Sequence, residues 1–262
     1  MFEDLYKNVF GRAVARVLAS PVFSYAAGKF LDSRLSRFLI KPFIKKNLID
    51  LTDVEDWEFS CFNAFFTRRL VGGARPVDAD EAALVSPCDG LLTVLPVTEN
   101  GLITVKGTPY TVSELLDDEA ASRAYVGGSC LVFRLTPKHY HRYCFPCDGT
   151  AGENRHINGI YHTVRPLALT YTPVFKTNTR EWTKLHTGFG DLIQMEVGAL
   201  LVGRIVNDVK SGAFVKGMEK GRFEFGGSTI ILLLPAGSAV IKDEFVNADD
   251  EIEVRQGERL NQ

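Results

Sequence analysis

From about residue 57 onward the chain is a succession of short apolar and β-branched runs, each closed off by Gly, Pro, Asn or Asp. Runs of that length bounded by turn formers make strands and leave little room for long helices. The candidate strands are 91–97, 102–105, 130–135, 159–164, 192–197, 200–206, 222–225, 229–234 and 239–245. Helical periodicity is confined to the start of the chain, to 62–70 and to 112–116. The pattern predicts a mainly β (α+β) fold, with a compact β barrel or sandwich hybrid as its body. No long linker, low-complexity tract or internal repeat divides that body, which is expected to span 56–262.

The first 55 residues have a different texture. Phe2, Leu5, Tyr6, Val9, Phe10, Ala13, Val14, Val17 and Leu18 recur at helical spacing up to Ser20-Pro21, with Lys7, Arg12 and Arg16 on or beside the polar side. A second stretch groups Leu31, Leu35, Phe38 and Leu39 with Arg34, Arg37, Lys41, Lys45 and Lys46. Residues 1–50 hold nine Lys/Arg against four Asp/Glu, a net +5 in a chain whose total is −2, so the remainder carries −7. Apolar faces edged with basic residues suit the surface of an anionic membrane. The same faces would equally serve to pack the arm on the body or on a second subunit.

With 45% hydrophobic and 24% charged residues the composition is that of an ordinary globular protein. The near-neutral balance gives no reason to expect nucleic-acid binding. Five cysteines in no regular framework (Cys61, Cys88, Cys130, Cys144, Cys147) favour a reducing compartment. The acidic, charge-interrupted start does not read as a signal peptide, and no run of about 18 apolar residues is present to span a bilayer. The expectation is an intracellular protein that does not cross the membrane.

Three segments offer chemistry. Ser86-Pro87-Cys88-Asp89-Gly90 carries an aspartate in a turn signal. The stretch 138–147, KHYHRYCFPC, concentrates His139, His141, Cys144 and Cys147. On a strand its two histidines would share a face as an HxH metal pair does, and the cysteines would form half a zinc site or a redox pair. The absence of a second CxxC and the Pro146 inside the first argue against both. Third, Phe225-Gly226-Gly227-Ser228-Thr229 links two apolar runs. Taken singly these are a turn, satisfied histidines and a hairpin. The third has a sharper reading, in which Ser228 turns its hydroxyl onto the Gly227 carbonyl, a nucleophile and an acyl group already joined in one chain. Such a serine still needs a base.

In order along the chain, FNAFFTRRLVGGARPV at 62–77, SPCDG at 86–90, TPKHYHRYCFPCDG at 136–149, GIYHTV at 159–164, VGALLVGRI at 197–205 and KGMEKGRFEFGGSTIILL at 216–233 resemble the phosphatidylserine decarboxylases. The resemblance implies a self-processing enzyme. Ser228 attacks the Gly227 carbonyl, the chain divides into 1–227 and 228–262, and former Ser228 becomes a covalent pyruvoyl group. That group would form a Schiff base with phosphatidylserine, release CO₂ and leave phosphatidylethanolamine. The resemblance further implies a charge relay of Asp89, a histidine and Ser228, and no metal. It implies peripheral work on the cytoplasmic side of an anionic membrane, and it is compatible with a homodimer. Family members often carry a second histidine where this chain has Cys144. His141 is therefore the expected base, with His139 and Cys144 as auxiliary candidates. His156, His162 and His186 read as structural, with His162 a candidate to line the substrate pocket; Asn178 and Arg180 resemble a family element without an assigned role. Cys61, Cys88 and Cys130 read as small apolar residues.

Three other readings compete. One is a lipoyl- or biotinyl-like carrier displaying Lys216, and another a metal enzyme built on His139 and His141. The third is a pyruvoyl decarboxylase of another amino-acid-like amine, against which the basic amphipathic arm argues.

Overall fold

A computed structural model describes residues 20–105, 107–162, 174–199, 204–225 and 228–262. The first helix expected from the sequence, 2–18, lies outside them, as do parts of the expected strands 159–164 and 200–206. Strand β13 (Ser228–Leu234) organises the molecule. All seven of its residues are buried, as a nearly continuous apolar run requires when both faces of a sheet are covered. Each aliphatic side chain so buried contributes about 1.5–3 kcal/mol. Pro235, which has no N–H to continue the ladder, ends the strand.

β13 pairs antiparallel with β4 (Ser129–Leu135) on one side and β9 (Gly190–Val197) on the other. β4 in turn pairs with β1 (Gly90–Pro96), and β1 with β14 (Ile252–Val254). Beyond β9 lie β8 (Arg180–Thr187), then β6 (Gly149–Ala151) and β11 (Gly212–Phe214), while β7 (Arg155–Ile157) also pairs with β8. β11 and β14 end this nine-stranded sheet and do not pair with each other, so among the described residues the sheet is open and no closed barrel forms. The mainly β, α+β expectation holds; its barrel alternative does not.

Alternation along the central strands divides the interior in two. Ile231 and Leu233 join Cys130, Val132, Ile193 and Met195 on one face. Ile230, Leu232 and Leu234 join Leu131, Phe133, Leu135 and Leu192 on the other. A smaller sheet is made of β5 (Arg142–Cys144), β12 (Glu219–Phe223) and β10 (Ile205–Asn207); β2 (Leu102–Val105) and β3 (Thr108–Thr111) form a separate hairpin.

Sequence patterning finds the central strands to within a residue or two. It misses β5, β6, β7, β11 and β14, three residues each, which are too short to show a period of two. It also misses β3, four residues with Pro109 among them, and β8, whose REWTKLHT is largely polar. The stretch 239–245 is not a strand: Ile241 makes one isolated bridge and a helix, Asp243–Val246, follows.

The described part of the arm is a helix, Pro21–Leu31, capped by the Ser20 hydroxyl, then a 3₁₀ turn, Arg34–Leu39, and a helix, Ile40–Asn47. Leu31, Ile40 and Ile49 are buried against Phe62, Phe65 and Phe66, and Phe43 and Phe225 pack into the same cluster. The arm therefore does pack on the body, through the helix Phe62–Phe66. Its outer side leaves Val22, Tyr25, Leu35, Phe38 and Leu48 exposed among Lys29, Arg34, Arg37, Lys41, Lys45 and Lys46.

Candidate active site

Antiparallel pairing brings the three chemical segments to one end of the sheet. β1 and β13 begin where β4 ends, because Arg134 stands opposite Leu91 on one side and Thr229 on the other. Asp89 precedes β1, the 136–141 segment leaves β4, and Ser228 opens β13. Two strand spacings, about 10 Å, separate the starts of β1 and β13. His141 is fastened from the other direction, since its carbonyl accepts from the Phe223 N–H at 2.8 Å, five residues before Ser228. Gly227 itself lies outside the described residues.

The Ser228 hydroxyl is fully buried and has no hydrogen-bond partner among the described residues. His141 is also fully buried, its ring 4.0 Å from that of Phe66, centroid to centroid. Its Nδ1 lies 2.9 Å from the His139 carbonyl. A carbonyl only accepts, so Nδ1 carries the proton and Nε2 is left with a free lone pair. That Nε2 has no hydrogen-bond partner among the described residues. Burial, followed by the charges of Arg68 and His139, holds the His141 pKa well below the usual histidine range. At neutral pH the ring is an uncharged base.

His139 sits in a turn, not on a strand, so the HxH pairing expected of a shared strand face is not formed. Its Nδ1 accepts from the Thr136 N–H at 3.0 Å, and its Nε2 lies 3.4 Å from Glu253 Oε1. Burial lowers its pKa.

Asp89 is buried, but among the described hydrogen bonds none joins it to either histidine. Arg75 holds both its oxygens, Nε to Oδ1 at 2.7 Å and Nη2 to Oδ2 at 2.6 Å, and the Gln256 N–H reaches Oδ1 at 2.9 Å. The orienting bond that a relay aspartate would give an imidazole is supplied to His141 by the His139 carbonyl. Cys144 is buried within β5, and desolvation pushes its thiol up to about 12. It is a neutral thiol and no substitute for a histidine base.

Sequence reading assigned no role to several residues that build this corner. Asn63 donates to Asp32 at 2.7 Å and accepts from the Phe225 N–H at 3.1 Å, tying the arm to the chain three residues before Ser228. Phe66 packs on both His141 and Phe225. Arg68 and Arg75 both come from the quoted 62–77 run, but a sequence cannot say which carboxylate an arginine takes. Asn178 and Arg180 are scaffold: Asn178 bonds the backbone of His162 and Gly198, and Arg180 bonds carbonyls of residues 114, 115, 176 and 178. His156 and His186 lie at the surface beside Glu181 and Asp191. The Lys216 amine donates to the Asp80 carbonyl, whereas a carrier lysine is displayed free.

A sequence model of the family described as phosphatidylserine decarboxylase matches residues 62–262. Phosphatidylserine decarboxylase proenzyme 2 of Clostridium acetobutylicum is 40% identical over 264 residues, which cover 98% of this chain and 90% of its own. Phosphatidylserine decarboxylase proenzymes of Clostridium botulinum (strain Langeland) and Ruminiclostridium cellulolyticum are each 40% identical, covering 92% and 94% of this chain and 84% of theirs. Match and motifs run through the corner where Asp89, His141 and Ser228 converge, and the chain belongs to the phosphatidylserine decarboxylase family.

Proposed function

We propose that this protein decarboxylates phosphatidylserine to phosphatidylethanolamine, using a pyruvoyl group made from its own Ser228. The observation that carries the reading is a pair of buried, unpartnered groups, Ser228 Oγ and His141 Nε2, at the converging end of β1, β4 and β13. Buried polar atoms are ordinarily satisfied, and exceptions call for a chemical reason. An N-terminal carbonyl group at position 228 fits this corner, where a hydroxyl and a neutral base already stand without partners.

His141 Nε2 takes the Ser228 hydroxyl proton as Oγ attacks the Gly227 carbonyl carbon. The peptide C–N bond breaks, the residue-228 nitrogen gains a proton, and the chain continues through an ester. Loss of the Ser228 α-proton and cleavage of Cβ–Oγ then free residue 227 as a carboxylate. The dehydroalanine left at 228 takes up water and releases ammonia. The pyruvoyl group so formed supplies the electron sink for loss of CO₂ from an amine-bearing substrate. The Asp89–Arg75 pair and Gln256 fix the start of β1, and the His139 carbonyl fixes the tautomer of the base.

The lipid reading rests on the arm, whose exposed Leu35 and Phe38 stand among Arg34, Arg37, Lys41, Lys45 and Lys46. Apolar side chains entering the headgroup layer and cations above it hold a protein to an anionic membrane reversibly. Among the described residues no helix is long and apolar enough to cross a membrane, so the proposed association is peripheral. The five cysteines are free and buried, which fits the cytoplasmic side.

The test is release of CO₂ from carboxyl-labelled phosphatidylserine vesicles. Release by the parent chain and none by Ser228→Ala is expected. No release by a fully cleaved parent would overturn the substrate assignment.

A further inference from the structure

Next to His141 lies a cation that the reaction above does not use. Arg68 follows the helix Phe62–Phe66, and its sequence neighbour Arg69 is exposed, whereas Arg68 is only 5% exposed. Its Nη2 donates to the carbonyls of Lys138 and His139, each at 3.2 Å. The second of these is the carbonyl that orients His141. Arg68 Nε and Nη1 are buried and have no hydrogen-bond partner among the described residues. No carboxylate forms an ion pair with Arg68 among the described residues, and Asp89 is held by Arg75. Burial pulls the guanidinium down to about 10, against the opposing charge of Asp89, so it remains a cation at neutral pH.

An unpaired buried guanidinium costs a folded chain several kcal/mol on the usual scale. Donors left open beside the reacting corner are satisfied when an anion occupies it. Their burial is no obstacle peculiar to Arg68, because Ser228 is buried more deeply still. Whatever admits a headgroup to residue 228 admits it to this corner.

We infer that Arg68 binds the phosphodiester of the substrate headgroup through Nε and Nη1, an assignment that rests on the decarboxylase reading above. The headgroup carries two anions, and chemistry chooses between them. The carboxylate gives up its charge as CO₂ leaves, so an arginine holding it would stabilise the ground state more than the transition state. The phosphodiester keeps its charge throughout, and binding it lowers KM without slowing the chemical step.

The experiment uses the full chain with Arg68→Lys and Arg68→Met, intact mass first establishing that each variant is cleaved. Lysine keeps the charge but loses the directed planar donors. The KM for phosphatidylserine in mixed micelles is expected to rise about tenfold or more, as loss of a charge-assisted hydrogen bond implies, with kcat within about threefold. Inhibition by phosphatidylethanolamine, which has the phosphodiester and lacks the carboxylate, is expected to weaken by the same factor. Weakened phosphatidylserine binding with unchanged phosphatidylethanolamine inhibition would move Arg68 to the carboxylate and overturn the assignment. An unchanged KM would remove Arg68 from the substrate altogether, as would a fall in kcat alone. If the variants do not fold, the unmodified enzyme still decides: glycerophosphoethanolamine must compete with substrate at concentrations where ethanolamine does not, and equal failure of both contradicts the proposal. A parent chain that cleaves yet never turns over phosphatidylserine defeats the underlying decarboxylase reading instead.

Discussion

Two buried polar clusters lie on either side of the 226–227 stretch of the chain, and they are built oppositely. Before it, Lys220 on β12 is wholly buried with Glu196 on β9; its amine reaches Glu196 Oε1 and Oε2 at 2.9 Å each and Asn207 Oδ1 at 2.7 Å. Asn207 in turn donates to Glu181 and Glu196. Every direction in which the ammonium can donate is met, and the result ties the small sheet to the large one. After it, Ser228 Oγ and Thr229 Oγ1 are buried without hydrogen-bond partners among the described residues, as are His141 Nε2 and the Nε and Nη1 of Arg68. Satisfied polar groups in a core specify structure, while unsatisfied ones call for an explanation, which at a reacting corner a group or ligand yet to come can supply. Burial alone would rank the two clusters equally; partner accounting separates them.

The sharpest way to break this comparison is to remove the base. His141→Ala is expected to slow self-cleavage at least ~100-fold, the scale of a lost general base, while Cys144→Ala stays near the parent rate. Time-resolved intact mass on freshly refolded precursor checks both. The opposite ranking would move the proton transfer to position 144.

Lys220→Met strikes the other cluster. It strands the Glu196 carboxylate, which burial already pushes towards protonation, and is expected to cost about 3–5 kcal/mol of stability. Those molecules that fold should cleave at the ordinary rate. Denaturant unfolding in a Ser228→Ala background measures the first effect and cleavage per folded molecule the second.

A smaller effect follows from acid. The folded-state pKa of His141 lies below its unfolded value near 6.5. The unfolded chain therefore takes up the proton first. Stability is fully present above about pH 6.5 and is lost as pH falls below it, by at most ~1.4 kcal/mol per pH unit for this one group. Between pH 6.5 and about 5, before most carboxylates titrate, the stability of Ser228→Ala should fall more steeply than that of Ser228→Ala carrying His141→Ala. Equal slopes would mean that His141 is not held neutral by the fold.

The same contrast governs what the sequence made legible. The apolar run 230–234 closed by Pro235 announced a strand, and the family resemblance, not any one segment, implied that residues 89, 139–141 and 228 belong together. Antiparallel pairing of β1, β4 and β13 turns that implication into proximity. What stayed hidden depends on tertiary choice. Nothing in GARP says that Arg75 will take both oxygens of Asp89, and nothing in FFTRR says that Arg68 turns inward while Arg69 faces solvent. Nor could periodicity show β5, three residues long, or place His139 in a turn.

The central claim is that Ser228 and the peptide bond before it are reactants, and the most direct measurement is the denatured intact mass of the purified protein beside Ser228→Ala. The account predicts two chains from the parent, 1–227 and a blocked 228–262 bearing a terminal pyruvoyl, and one uncut 29.1 kDa chain from the variant. A single uncut 29.1 kDa chain in both would contradict it.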